Sequence, residues 1–230
     1  MQLENVTSIR RGEEKRRYED ACGLAHALDL IGERWAMLVL RELAYGPRRF
    51  SGLKRDLTGI SANVLTQRLN ELEARGLVRK SRLPPPASVQ VYEATQWGLE
   101  AVPVIARLGR WAARSPLHDP TLPMSHVSII MSLQTLISPE RAAGVTMRVG
   151  FRLGDADYVT TVRGGRLSVE RNEPRDCAVT FTGSPTAVAG VIHGGAPFET
   201  IQVDGDLDLA RRFIDLFVLP EKVEAAPALA

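Results

Sequence analysis

The stretch "ISANVLTQRLNELEARGLVRKS", Ile60–Ser81, decides how the rest of the chain is read. Placed on a helix from Ser61, Ala62, Leu65, Leu69 and Leu72 fall on one face with the spacing of a buried stripe. The opposite side carries Asn63, Gln67 and Asn70, with Val64, Thr66 and Arg68 beside them, where an ordinary solvated face would carry Glu and Lys. Side-chain amides read hydrogen-bond patterns. Exposed Asn and Gln are also often merely hydrated, so the flanking sequence has to decide what this face is for.

Upstream, "RRFSGLKRDLTG" predicts a short helix with Phe50, Leu53 and Leu57 inward, a turn at Thr58-Gly59, and Ser61 as the N-cap of the next helix. Two earlier helices are expected. One is capped by Asp20, with Ala21, Leu24, Leu28 and Ile31 as its apolar positions, and is interrupted at Gly32. The other is "RWAMLVLRELAYG", closed at Gly46 and stopped by Pro47. A short helix, a tight turn and a second helix with an amide-rich outer face predict a helix-turn-helix. Downstream, Gly76 ends the helix, "LVRKSRL" and "VQVYEA" read as strands, and "PPPAS" reads as the tip between them, which makes a β-wing.

Charge collects on this unit. Residues 48–82 hold nine Lys and Arg (48, 49, 54, 55, 68, 75, 79, 80 and 82) against Asp56, Glu71 and Glu73. The 230-residue chain has a net charge of +2, but residues 1–114 hold 19 Lys and Arg against 13 Asp and Glu, and residues 115–230 hold 10 against 14. The first half attracts polyanions and the second does not. The change falls at "SPLHDPTLPMS", Ser115–Ser125, where three prolines break the helical pattern. The expected organisation is a basic arm over 1–19, a winged helix-turn-helix over 20–114, a linker over 115–124, an α+β domain over 125–219 and a flexible tail over 220–230.

Other classes are disfavoured by composition. A chain with 44% hydrophobic and 24% charged residues is globular, and disorder and collagen-like repeats do not fit. No window reaches the roughly 18 apolar residues of a membrane span, and no signal peptide is evident, so a cytoplasmic protein without membrane contact is expected. Cys22 and Cys177 suit a reducing compartment and form no disulfide framework.

Through "ALDLIGERWAMLVLREL", "GPRRFSGL", "LTGISANVLTQRLNELEARGLV" and "VYEATQWGLEAVPVI", residues 18–114 resemble the HxlR-type winged-helix transcriptional regulators, which are related to the MarR regulators. The resemblance implies a homodimer on two-fold double-stranded DNA, with the helix from Ser61 in the major groove and the wing along the backbone. The residue types agree: Asn and Gln pair bidentately with adenine, and Val or Thr packs on a thymine methyl. Asn63, Val64, Thr66, Gln67 and Asn70 are the expected base contacts. Arg48, Arg49, Lys54, Ser61, Arg68, Arg79, Lys80 and Arg82 are the expected phosphate contacts. The wing tip "PPPASVQ" has no Lys or Arg, so the wing's charge comes from its first strand. Repression is the expected direction of control.

After the wing, "TQWGLEAVPVIARLGRWAARS" has two apolar stripes, Ala101, Val104, Ile105, Leu108, Trp111 and Ala112 on one, and Leu99, Val102 and Ala106 on the other. The second stripe suggests a partner chain, although a helix clasped between two domains of one chain would also need it. Pro103 predicts a kink or a restart, since proline costs about 3 kcal/mol inside a straight helix.

The second half predicts a helix near Ser125–Ile137, then strands in "VTMRVGFRL", "DYVTTVRGG", "RLSVER" and "CAVTFTG", with the Arg-Gly-Gly step as a hairpin. Helices follow in "SPTAVAGVIHGG", with Ser184 as cap and Pro185 at the first position, and in "GDLDLARRFIDLF". The expected layout is one sheet with one covered face. The phrases "TVRGGRLSVERNEPRDCAVTFTGSPTAVAGVIHGG" and "IQVDGDLDLARRFIDLF" resemble the SCP2-like sterol-carrier fold, which implies an apolar pocket between sheet and helices for a hydrophobic small-molecule effector. The fold class is thus a mainly α winged helix-turn-helix domain plus an α+β SCP2-like domain.

Catalysis has no support in the sequence, since nucleophile elbow, phosphate loop, dinucleotide fingerprint and metalloprotease motif are all missing. No cofactor and no metal are expected. "DGDLD" at Asp204–Asp208 lacks the Gly and Glu of a calcium loop, and Asp206 reads as a helix cap. Gly194-Gly195 after His193 reads as a helix end. Cys22, near a helix start, is a candidate thiol sensor because a helix N-terminus favours the thiolate, while Glu19 and Asp20 oppose it. Some HxlR-type regulators resemble this chain in carrying such a cysteine. Cys22 and His26 are two metal donors without further ones nearby. The competing readings are a hydrophobic-ligand carrier with a vestigial DNA motif, and a regulator whose second domain is only an assembly scaffold.

Overall fold

The structure, a computed structural model, describes residues 18–224. Most of the expected basic arm, and the end of the expected tail, lie outside the described residues. Six helices and a hairpin make the first part: α1 Gly23–Ile31, α2 Ala36–Glu42, α3 Phe50–Asp56, α4 Ala62–Ala74, β1 Val78–Arg82, β2 Gln90–Ala94, α5 Gln96–Glu100 and α6 Val102–Ala112. Val39, Leu40 and Leu43 meet Leu53, Leu57, Ile60, Leu65, Leu69, Leu72, Leu77 and Ile105 in one core. The restart expected at Pro103 occurs, because proline needs no hydrogen bond in a first turn and stands there in α6.

Two expectations in this part need correction. Asp20 does not cap α1; Cys22 occupies the cap position, and its N–H donates to Asp20 Oδ1 at 2.9 Å. Nor are the apolar positions of α1 all inward. Leu24 is 68% exposed and Leu28 is also exposed, as are Val104, Leu108 and Trp111 of α6, the last at 70%. Of the first α6 stripe only Ile105 is buried, while in the second Leu99 is exposed and Val102 and Ala106 are half-buried, so the described residues leave both stripes partly uncovered, the first more so.

The second part contains α7 His126–Leu136, β3 Met147–Leu153, β4 Ala156–Arg163, β5 Arg166–Glu170, β6 Val179–Gly183, α8 Pro185–Gly194, β7 Gln202–Gly205 and α9 Leu207–Ile214. The strands form a mixed sheet of order β5-β4-β3-β6-β7, antiparallel except for the β3–β6 pair. Gly164 and Gly165 both have positive φ and join β4 to β5 with Arg163 opposite Arg166, the turn that the Arg-Gly-Gly step predicts. Ser184 caps α8 and Asp206 caps α9 as expected, the Asp206 Oδ1 accepting from Asp208 and Leu209 N–H, and Ser125 caps α7.

Helices α7, α8 and α9 pack on the face of the sheet that carries Val149, Phe151 and Phe181, in a second core separate from the first. The apolar pocket expected there is filled by the chain itself. Phe151, Phe181, Phe213 and Phe217 pack ring against ring at centroid distances of 5.0–6.0 Å, with Val149, Val179, Val188 and Ile192 around them. β7 is an element that the sequence reading does not include. The start of the tail is also not loose: Val223 N–H donates to Arg114 O at 2.9 Å and Lys222 Nζ to Ser115 O at 3.0 Å.

Candidate nucleic-acid interface

Helices α3 and α4 are joined by Leu57–Ser61, and Gly59 has φ +90, a conformation that costs a side-chain-bearing residue strain. Ser61 then caps α4, its Oγ accepting from Val64 N–H at 3.2 Å. Leu65, Leu69 and Leu72 are fully buried, which fixes the rotation of the helix; Ala62, expected beside them, is exposed. With that rotation set, Asn63, Thr66, Gln67 and Asn70 lie on the solvent side, and Val64 is half-buried against the core. Gln67 Nε2 donates to Glu71 Oε1 at 3.1 Å, and Asn70 Oδ1 accepts from Lys80 Nζ at 3.3 Å.

The wing pairs Val78 with Ala94 through Arg82 with Gln90. Arg79 and Arg82 are exposed on it, and Arg79 Nε is 2.9 Å from Glu93 Oε1. Lys80 Nζ is 2.7 Å from Glu73 Oε2 and, by that hydrogen bond, holds the Glu73 carboxyl below its usual range. Arg49 is exposed and Lys54 half-buried.

Two expected phosphate contacts do not belong to this surface. Arg48 is 5% exposed. Its backbone pairs with Tyr92 by two 2.8 Å hydrogen bonds, which turns the side chain inward onto Asp56 and to within 3.6 Å of Glu42 Oε2. Arg68 is 7% exposed and pairs with Glu71 on its own helix and with Glu33 at 3.5 Å. Both hold the unit together from inside. Cys22 is exposed and Cys177 partly buried, both as free thiols.

The side chains around Arg48 form a buried polar cluster at the contact between the two cores, which no motif announces. Ser125 Oγ donates to Glu42 Oε1 at 2.7 Å, His126 Nδ1 is 2.6 Å from Tyr158 OH, and His126 Nε2 is 3.2 Å from Asp56 Oδ2. Burial pulls the Asp56 carboxyl up, but His126, Arg55 and Arg48 facing it outweigh burial and hold it well below the usual carboxylate range. Arg55 also grips Asp155, on the β3–β4 turn, with two hydrogen bonds of 2.8 and 3.0 Å. Glu42, Asp56 and His126 bring donor atoms within 4.8 Å of one another, the spacing of a metal site. The Arg48 guanidinium stands among them and already supplies the positive charge, so the group is an ion network. The one sequence signal for it was Glu42 at the end of the apolar run "AMLVL".

Among the described residues no helix is long and apolar enough to cross a membrane. Residues 30–118 match the family profile described as HxlR-like helix-turn-helix. The uncharacterized HTH-type transcriptional regulator YkvN of Bacillus subtilis is 40% identical over 92 residues, 40% of this chain and 77% of that protein. The uncharacterized HTH-type transcriptional regulator YvaP of the same organism is 33% identical over 86 residues, 37% of this chain and 80% of that protein. Among solved structures, the reduced form of the transcriptional regulator YodB from B. subtilis is 29% identical with a TM-score of 0.38, covering 44% of this chain and all of that one.

Proposed function

Because the chain belongs to the HxlR-like helix-turn-helix family of transcriptional regulators, we propose that it binds a two-fold operator as a homodimer and reads bases with the outer face of α4. The observation that carries this is the exposed amide row of Asn63, Gln67 and Asn70, with Thr66 beside it, on a helix whose rotation is fixed by three buried leucines. Asn63 and Gln67 are the principal readers, Asn70 and Thr66 flank them, and Val64 offers a methyl contact. Phosphate contacts fall to Arg49, Lys54, Ser61, Arg79, Lys80 and Arg82. The dimer reading rests on the uncovered Leu24 and Leu28 of α1 and Val104, Leu108 and Trp111 of α6. Repression follows if the bound dimer occludes a promoter.

For the second half we propose an SCP2-like module that serves assembly. Its aromatic interior favours that role over carriage of a hydrophobic ligand between sheet and helices. The test is selection of DNA from a random pool, followed by a salt titration of the selected site. Three cations per protomer (Arg49, Lys54, Arg82) give a slope of log K against log salt of about −5 for a dimer. The slope approaches about −9 if Arg79 and Lys80 exchange their glutamates for phosphates. A slope near zero, or a pool without enrichment, contradicts the proposal.

A further inference from the structure

We propose that Arg34 is a DNA-phosphate contact on the flank of α4 that the wing does not reach; this rests on the reading of α4 as a helix lying in the major groove. A groove about 12 Å wide just admits a helix, so a helix in it has a phosphate backbone on either side. Position along α4 separates its two flanks. Thr66, Asn70 and Glu73, spaced i, i+4 and i+7, share the flank facing the wing, where Lys80 Nζ lies 3.3 Å from Asn70 Oδ1 and 2.7 Å from Glu73 Oε2. Val64, Arg68 and Glu71 have the same spacing on the other flank, and the exposed Asn63 and Gln67 run between the two. Arg79, Lys80 and Arg82 of the wing therefore serve the backbone on one side of the groove only.

Arg34 stands on the other side because both of its neighbours are fixed there. Glu33 Oε2 lies 3.5 Å from Arg68 Nη1, which engages that carboxylate with α4. Trp35 leans on the α3–α4 turn, its Cη2 being 3.8 Å from the point where a Cβ on Gly59 would stand. Trp35 has φ +77, a conformation strained for a residue with a side chain, which persists only where the surroundings fix it. Arg34 itself is exposed. Its guanidinium lies 5.5 Å from the centre of the Trp35 ring, and among the described residues no carboxylate pairs with it. The ring attracts the cation without neutralising it, so the charge stays available and the side chain has less freedom to lose when a phosphate arrives. Arg79 and Lys80, in contrast, are each bound to a glutamate.

Salt titrations of the full chain on the selected operator and on a scrambled duplex, with Arg34→Gln, Arg34→Lys and Arg82→Ala beside the wild type, test the assignment. Each phosphate contact adds about 0.9 to the slope of log K against log salt, so counting Arg34 takes the slope expected of a dimer from about −5 to about −7, and Arg34→Gln should return it. The affinity ratio of wild type to Arg34→Gln should then fall about sevenfold between about 0.1 and 0.3 M salt, alike on both duplexes. Arg34→Lys keeps the charge and should keep the slope. Because Arg34 is exposed, both substitutions leave the core untouched. A ratio that stays constant with salt, a loss confined to the operator, or a slope flattened as much by Arg34→Lys as by Arg34→Gln overturns the proposal. A slope flattened by Arg82→Ala and untouched by Arg34→Gln removes the role of Arg34 alone, whereas a wild-type slope near zero removes the reading of α4 with it.

Discussion

Replacing Arg48 by Met keeps most of the stem and removes the charge, and two roles for this residue predict opposite results. A phosphate contact would leave stability unchanged and weaken DNA binding. The buried position predicts the reverse. Arg48 lies 3.6 Å from Glu42 Oε2 and in contact with Asp56, with 5% of its side chain exposed, so its loss strands negative charge in the interior. Breaking a buried pair from one side costs about 3–5 kcal/mol. The lower figure applies here, because Glu42 keeps Arg41 and Ser125, and Asp56 keeps Arg55 and His126. Urea unfolding of the two proteins at pH 7 should therefore differ by about 3 kcal/mol. Asp56 is held low partly by Arg48, so in the variant its carboxyl takes up a proton more readily when folded, and the deficit should shrink as pH falls. A loss under about 1 kcal/mol, with a fall in DNA affinity, would refute the reasoning.

Burial lowers His193 from 6.5 to about 4, its Nε2 lying 2.8 Å from Ser132 Oγ. The unfolded chain then binds the proton more tightly, so stability should fall as pH drops from 6.5 toward 4, by up to about 3 kcal/mol. His193→Gln should flatten that stretch of a stability-versus-pH curve, and an unchanged curve would contradict the assignment. Trp111→Glu puts a charge into the proposed dimer face. Sedimentation should show a dissociation constant raised more than about tenfold, from some 2 kcal/mol of lost apolar burial. A wild-type chain that sediments as a monomer removes the premise. If Cys22 senses oxidants, treatment should release DNA from the wild type and not from Cys22→Ser; equal release from both would rule it out.

Periodicity in the sequence was most informative where a local rule acts alone. The leucines of α4, the Gly59 turn, the capped starts at Ser61, Ser184 and Asp206, and the Gly164-Gly165 hairpin all follow from near neighbours. Misreadings arise where distant residues decide. An arginine after Gly46-Pro47 reads as surface until Glu42, Asp56 and Tyr92 are seen to surround it. Leu24 and Leu28 carry a core-like pattern, yet none of the described residues covers them. β7 has four residues, too few for alternation to declare itself, and is set by pairing with β6. The pocket suggested by a fold resemblance was lost to four phenylalanines whose convergence depends on the tertiary arrangement. At the candidate interface the amide row was legible because one fixed helix carries it. The Arg48 and Arg68 assignments were not, because burial of a charge depends on partners elsewhere.

The most direct test of base reading by α4 compares Gln67→Ala with the wild type on the selected operator and on a scrambled duplex of equal length and salt. A bidentate amide contact predicts a loss of about 1–3 kcal/mol on the operator and almost none on the scrambled duplex, whereas Arg82→Ala should weaken both alike. Equal losses on the two duplexes for Gln67→Ala would contradict it.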